Sequence, residues 1–485
     1  TVGQAAFRSS LKPGETVRTP RLTLQAFTDG DDRGRNLWRS FYIDHILPRE
    51  DGHPLDPKLV LHTWMIDGLP EFCGVTEENQ LAAIDTYLQK GLKPDIWWID
   101  AGWYPCNFDW GVGVGNLRLN EENYPNGLKP VSDHLHKNGI DLLLWFEPER
   151  IAYGSQTDLE HPEWVIKAPE REVVTGRGGT QLVLDLGNPE VQDFVFSIVD
   201  DLLAENPEID YIKWDANMPV SNHGSQHLSM DRQSHLFIDY HRGFASVCER
   251  IRAKYPDITI QACASGGGRA NWGVLPWFDE FWVSDNTDAL QRIYMQWGTS
   301  YFFPAIAMAS HISAVPNHMV FRTTSLKYRI DVAMSGRLGM EIQPRNMTDE
   351  EKALCRNAIS EYKEIRPVVQ MGEIYRLVSP YDGHDMASLM YVSEDKSEAV
   401  FYWWKTETFH DAHLPRVRMA GLDPSRMYRI RELNRIDNVA LPYEGLSFSG
   451  RFLMENGLEI PLRHKVDYHK QDDWSSRILH LVCDE

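Results

Sequence analysis

From about residue 59 the chain repeats one texture. A short, wholly apolar run ends on a polar residue, usually a carboxylate, and is followed by a longer stretch with apolar positions three and four apart. Short continuous apolar runs suit strands buried on both faces, and the longer periodic stretches suit amphipathic helices packed over them. The runs fall at 59–64, at 94–99 ending on Asp100, at 140–146 ending on Glu147-Pro148-Glu149, at 181–184 ending on Asp185, at 209–214 ending on Asp215, at 258–262 ending at Cys263, and at 281–284 running into Asp285. An eighth strand and helix fit between Tyr301 and Leu338. Helices are predicted over 77–90, opened by Thr76 with Asn79 and Gln80 in the first turn, and over 128–138, 189–203, 232–255 and 289–297. Strand and helix alternating over roughly 280 residues predict a (β/α)8 barrel, an α/β fold of usual size about 250 residues. The competing doubly wound open sheet lacks a Gly-x-Gly-x-x-Gly after an early strand.

The flanks read differently. Residues 1–55 are extended, polar and turn-rich, with an alternating run at 21–27, and predict the tail of an N-terminal β-domain. The barrel is expected over 56–345. Over 346–485, Thr348-Asp349-Glu350-Glu351 is a capping box opening a helix to about 365, and from 375 onward alternating runs such as Ala399-Val400-Phe401-Tyr402-Trp403-Trp404 predict a C-terminal antiparallel β-sandwich. No carboxylates cluster at its strand ends, so its role is structural.

Composition narrows the ligand. Asp plus Glu exceed Lys plus Arg by 70 to 49, a formal charge of -21, which disfavours nucleic acid and anionic membrane as partners. No apolar stretch reaches the roughly 18–20 residues of a membrane span. Cytoplasmic residence is the expectation, with secretion left open because the first residue is Thr1. Six cysteines without a Cys-x-x-Cys pair read as mostly reduced thiols, and His134-Leu135-His136 lies in a predicted helix, where a solvated face outweighs a metal site. No metal and no organic cofactor is expected.

In a β/α barrel the chemistry sits at the carboxyl ends of the strands. Asp100, Glu147, Glu149, Asp185, Asp215 and Asp285 would therefore share one rim with Trp103, Trp145, Trp214 and Trp282. Two carboxylates flanking a sugar ring are the minimum for glycoside hydrolysis, and aromatic faces suit the C–H faces of sugars. The plainer reading is that several tryptophans are core and several carboxylates cap helices; for Glu149 and Asp185 the two readings stand level.

Four separated motifs make the chain recognisable: Asp100-Ala101-Gly102-Trp103, Trp145-Phe146-Glu147-Pro148-Glu149, Lys213-Trp214-Asp215-x-Asn217, and Cys263-Ala264-Ser265-Gly266-Gly267-Gly268-Arg269 running to Ser284-Asp285-Asn286-Thr287-Asp288. With Tyr124-Pro125-Asn126-Gly127-Leu128 and the run from Ser310 to His318, in this order, they resemble glycoside hydrolase family 36, the α-galactosidase and α-N-acetylgalactosaminidase group. The resemblance implies retaining double displacement, with Asp215 as nucleophile and Asp285 as acid/base. It further implies that Asp100, Trp145, Arg177, Lys213 and Asn217 contact the sugar, and that Cys263 and Gly266 belong to the loop beside its C2 substituent. The partner is then an oligosaccharide or glycoconjugate. Transfer to another sugar, an α-N-acetylgalactosaminidase, a sugar-binding barrel without catalysis and a metal-dependent hydrolase are the rivals.

Departures bear on specificity. Family α-galactosidases usually carry two adjacent aspartates where this chain has Asp100-Ala101, and the pair is understood to grip O4 and O6. Gly115-Asn116-Leu117 and Arg269-Ala270-Asn271-Trp272 also differ from the family's habit, and Arg150 replaces a usual methionine, which offers a cation near the sugar. Of the large N-terminal β-supersandwich of full-length members only the last strands are expected here. That domain mediates homo-oligomer formation in some members, so the oligomeric state is not carried over.

Overall fold

Eight parallel strands close on themselves: β1 (Val60–His62), β2 (Ile96–Ile99), β3 (Asp141–Phe146), β4 (Tyr211–Trp214), β5 (Thr259–Ala262), β6 (Glu280–Trp282), β7 (Met308–Ile312) and β8 (Arg337–Met340), with β8 pairing back onto β1. This computed structural model describes residues 3–4, 6–19, 21–50, 53–54, 60–62, 72, 74–115, 117–176, 180–407, 416–436, 440–460 and 474–484. Cys73, Asn116 and Arg177 lie outside the described residues. Because successive strand residues point to opposite faces, Tyr211, Lys213 and, one step beyond the strand, Asp215 share one face, while Ile212 and Trp214 join the larger core that also contains Val195, Val199 and Phe244 of the surrounding helices. The inward set closes the barrel with Ile96, Trp98, Leu143, Tyr211, Cys263, Trp282 and Ala309. Deeper in, Glu280 pairs with Arg337 at 2.7 Å and accepts from Gln261 at 2.8 Å.

The helices follow their local signals. Helix Glu77–Gln89 opens on a reciprocal capping box between Thr76 and Asn79, and Pro130 stands in the first turn of Lys129–Lys137. His134 and His136 on that helix pair with Asp85 and Asp210. The crossover from β5 to β6 is a single 3-10 turn, Leu275–Trp277.

Two strands differ from expectation. The run ending on Asp185 is not a barrel strand: Gln181–Val183 pairs antiparallel with Arg150–Ala152 in a separate two-stranded sheet. Its apolar residues are buried all the same, which is why burial pattern alone assigns it to the barrel. The missing eighth strand is recovered because 301–340 holds two strands, β7 and β8, where one was expected. At the N-terminus, residues 21–27 are extended without a sheet partner, and Asp31–His45 is a helix rather than part of a β tail. Its apolar stripe is Trp38, Phe41 and Tyr42; Trp38 and Phe41 meet Trp272 at ring distances of 4.9 and 5.6 Å. Asn36 exchanges hydrogen bonds of 3.0 and 2.9 Å with the backbone of Ile374.

Helix Asp349–Met371, opened by the expected Thr348/Glu351 capping box, leads into a six-stranded antiparallel sheet. The continuous apolar run Ala399–Trp404 is explained by burial on both faces: Val400, Tyr402 and Trp404 pack on the barrel side, Ala399, Phe401 and Trp403 on a separate core.

Candidate functional site

Asp215 follows directly on β4, and its backbone N–H continues the ladder to Phe146 O at 2.7 Å. The side chain is 3 % exposed and accepts three N–H donors: Trp145 Nε1 at 3.0 Å and Asn217 Nδ2 at 2.7 Å on Oδ2, and Ala216 N at 2.9 Å on Oδ1. Hydrogen bonds to a carboxylate are stronger than neutral ones, and three of them fix the direction in which the group points.

Lys213, two residues earlier on the same face, reaches Asp100 Oδ2 at 3.3 Å and lies 4.5 Å from the Trp98 ring centroid. Burial works against its charge, but Asp100 foremost, with Asp215 and Asp285, outweighs burial and holds the ammonium above its ordinary pKa. Asp285 stands at the end of β6 with its side chain open to solvent and one donor, Trp282 Nε1 at 3.0 Å. Enclosure by the surrounding rim removes enough water to raise its carboxyl above the ordinary value; Lys213 opposes the shift and Asp215 adds to it. Two carboxylates therefore share one cation with unlike environments, one sheltered and donor-rich, the other open and inclined to keep a proton.

Asn217 is committed on every side. Its backbone N–H and side chain donate to Glu147 at 2.5 and 3.4 Å, and its Oδ1 accepts from Ser265 N and Oγ at 2.8 and 3.2 Å. Ser265 sits at φ 49°, the left-handed bend that turns its N–H toward Asn217. The next residue, Gly266, has φ 91°, and a Cβ there would stand 2.7 Å from Ser284 Cα, so only glycine lets this loop lie against the strand end that precedes Asp285. Cys263 is buried beneath the loop, where loss of water drives its thiol far above its usual pKa.

The structure thus brings Asp100, Trp145, Lys213, Asp215, Asn217, Cys263, Gly266 and Asp285 to one end of the barrel. It brings Glu147 alongside them, against Asn217, but not Glu149 or Asp185. Glu149 accepts Trp214 Nε1 at 2.7 Å, Arg269 at 2.5 and 2.9 Å, and the Tyr240 hydroxyl. Burial would raise its pKa, but Arg269 outweighs burial and holds it below the ordinary range. Asp185 caps Gly187 at 3.0 Å and takes the Ser225 hydroxyl, tying two loops together. Trp103 and Trp214 are core: Trp103 donates to Trp145 O at 2.9 Å. Arg150, which the sequence reading offered as a cation near the sugar, is buried on Glu147, and Trp98, under the Lys213 ammonium, gains a role that reading did not assign. Trp98 shares the face of Asp100 by strand alternation, a signal that was available. Among the described residues no group of three His, Cys, Asp or Glu is placed to hold a metal ion, and no helix is long and apolar enough to cross a membrane.

Comparison with known proteins follows the same two regions. The Melibiase family model matches residues 27–372, and the glycosyl hydrolase family 36 C-terminal domain matches 386–481. Alpha-galactosidase AgaA of Geobacillus stearothermophilus is 33 % identical over 441 residues, covering 91 % of this chain and 59 % of the relative. Probable alpha-galactosidase C of Aspergillus terreus is 34 % identical over 469 residues, covering 94 % and 58 %. A crystal structure of AgaA in complex with raffinose superposes with a TM-score of 0.83 at 30 % identity, covering 94 % of this chain and 59 % of that one. The chain spans about three fifths of the length of the relatives it matches. By these matches and by its barrel, the chain belongs to the Melibiase family, glycoside hydrolase family 36.

Proposed function

We propose that this chain is a retaining exo-α-galactosidase that removes terminal α-linked galactose from oligosaccharides or glycoconjugates by double displacement. The observation that carries the reading is the pair of unlike carboxylates around Lys213, with Asp215 sheltered under three N–H donors and Asp285 open to solvent with a raised pKa. Asp215 attacks the anomeric carbon as a carboxylate while Asp285 gives its proton to the departing oxygen. Asp285, now a base, takes a proton from water, which releases the sugar with its configuration retained. Lys213 and Asp100 present a charged edge to the sugar hydroxyls. Cys263 and Gly266 lie in the loop that would meet the substituent at C2, and Arg177 completes the sugar contacts by family likeness. The AgaA structures with raffinose and with stachyose support an oligosaccharide substrate.

The test is release of nitrophenol from α-galactoside, α-N-acetylgalactosaminide, α-glucoside and β-L-arabinopyranoside by wild type and Asp215→Gly. Cleavage of the α-galactoside, lost in the variant, supports the reading. A preference for the α-N-acetylgalactosaminide would move the chain to the neighbouring activity, a choice made at the Cys263–Gly266 loop beside C2. Wild type inert on all four would reduce the function to sugar binding.

A further inference from the structure

The leaving-group side of the site carries an apolar surface to which the double displacement gives no part. After β7 the chain turns through residues 313–325 at the same end of the barrel as Asp285, because β6 and β7 are parallel neighbours. In this loop Met319, Val320 and Phe321 are 50 %, 37 % and 79 % exposed. Single exposed apolar residues are ordinary, but a contiguous set beside a site marks a binding surface.

Hydrogen bonds fix the loop to the segment that follows the acid/base. Thr287 Oγ1 donates to Ser313 Oγ at 2.7 Å, Asn317 Nδ2 donates to Thr287 Oγ1 at 3.4 Å, and the Arg322 guanidinium pairs with the Asp288 carboxylate. Asn317 Oδ1 accepts the backbone N–H groups of Met319 and Val320, both at 3.0 Å, while Asn317 N donates to Arg322 O at 2.9 Å and Phe321 N to Asn317 O at 2.8 Å. Thr287 and Asp288 are the second and third residues after Asp285, so the backbone from the acid/base to these anchors spans at most about 11 Å. At the tip Phe321 has φ 56°, a conformation that suits glycine and strains an aromatic residue. Such strain persists where the surroundings impose it, and it gathers at binding sites.

Stereochemistry decides which part of a substrate meets the loop. Asp215 and Asp285 act from opposite faces of the anomeric carbon, so the bond to the aglycone lies on the face of Asp285. Asp100, which with Lys213 meets the sugar hydroxyls, follows β2, and β2 stands opposite β6 in the closed sheet. The aglycone therefore departs past the segment to which residues 317–322 are tied. A sugar in that place needs polar partners for its hydroxyls, whereas an aromatic alcohol needs an apolar face. Of the side chains at 318–321 one is polar and three are apolar, and Asn317 and Arg322 are spent on holding the loop.

We propose that Met319, Val320 and Phe321 form an aglycone subsite for apolar aromatic groups, with the Phe321 ring as its principal face. The proposal rests on Asp285 being the acid/base of an α-galactosidase. It is tested by kcat/KM for 6-bromo-2-naphthyl α-galactoside divided by kcat/KM for melibiose, whose aglycone is a sugar. Following that ratio across variants cancels the difference in leaving-group acidity.

In Phe321→Gly the ratio falls about tenfold, the lower end of what one apolar contact discriminates, and the loss with the naphthyl substrate lies in KM rather than kcat. Phe321→Tyr, which keeps an aromatic face, keeps the wild-type ratio. The thermal midpoint of Phe321→Gly does not fall, because glycine relieves the left-handed φ. Met319→Ser/Val320→Ser lowers the ratio in the same direction and decides the matter should Phe321→Gly fail to fold. A ratio unmoved by these variants overturns the proposal, as does a loss of equal size on both substrates accompanied by a lower midpoint, which would make Phe321 structural. Light scattering covers the other occupant: a wild-type oligomer that Phe321→Asp takes apart would make the patch a contact between copies of this chain and overturn the subsite. Wild type inert on both substrates sinks the functional reading and this inference with it; active wild type with an unmoved ratio sinks this inference alone.

Discussion

Removing Asp285 and offering azide separates the two carboxylates by the stereochemistry of a product. Asp285 is open to solvent and holds one donor, Trp282 Nε1, whereas Asp215 is buried under three. An anion the size of azide can therefore enter the space left by Asp285→Ala. General acid–base assistance contributes about 10²–10⁴ in rate, which is roughly 2.7–5.5 kcal/mol at 1.36 kcal/mol per tenfold. With methyl α-galactoside, whose leaving oxygen needs the proton, Asp285→Ala should lose that whole factor in kcat/KM. With 4-nitrophenyl α-galactoside the phenolate departs unaided, so kcat/KM should fall by less than about tenfold while kcat falls further, because water then lacks its base. A burst of nitrophenol follows as the glycosyl-enzyme accumulates. Azide should restore kcat and yield α-galactosyl azide, since it attacks the intermediate from the face that Asp285 occupied. Asp215→Gly with azide should give the β-azide instead, in a single inversion. The anomeric proton coupling in the NMR spectrum of each product reads the outcome. A β-azide from Asp285→Ala would exchange the roles of the two residues and refute the reasoning from their environments.

Three further outcomes follow from the same geometry. Gly266→Ala meets Ser284 Cα at 2.7 Å on top of a left-handed φ, whereas Gly127→Ala, at φ 75° with nothing within 4 Å, carries only the conformational term of about 1–2 kcal/mol. Both should lower the thermal midpoint, but only Gly266→Ala should reduce kcat/KM by tenfold or more; equal activity in the two would show that the loop position does not matter. Lys213→Met removes the cation beside the buried Asp100 and should destabilise by about 3–5 kcal/mol, seen in a denaturant melt. In the residual activity its basic limb should move to higher pH, because Lys213 is the charge that pulls the raised Asp285 pKa down and its loss keeps the acid protonated longer; a limb that moves down would contradict that sign. Buried Cys263, with its thiol held far above the usual range, should resist iodoacetamide at pH 8 in the folded protein, while the partly exposed Cys483 reacts before it, as peptide mass spectrometry would reveal. Early labelling of Cys263 would mean that its loop opens.

What could be read from sequence was whatever depends on near neighbours in the chain. Capping boxes at Thr76 and Thr348 place helix starts because their hydrogen bonds close within four residues. Strand alternation places Lys213 and Asp215 on one face because the period of two is a property of the backbone. The motifs around Asp100, Trp145, Lys213, Cys263 and Asp285 point to one rim for the same reason, since every parallel strand of a closed barrel delivers its end to the same side. The helix Asp31–His45 escaped because its stripe of Trp38, Phe41 and Tyr42 is set in a polar run and finds its partners more than two hundred residues away, at Trp272 and Ile374.

Long-range contact decided the rest. Gln181–Val183 has the composition of a barrel strand, yet the pairing offered by Arg150–Ala152 takes it out of the barrel. Glu149 and Asp185 resemble Asp285 as strand-end carboxylates. Arg269 arrives from beyond β5 and Ser225 from beyond β4 to occupy them, while Asp285 is left with solvent and Trp282. A carboxylate's role depends on the charge and water around it, and those come from segments 40 residues apart for Asp185 and 120 for Glu149, which only the folded chain brings within hydrogen-bond reach.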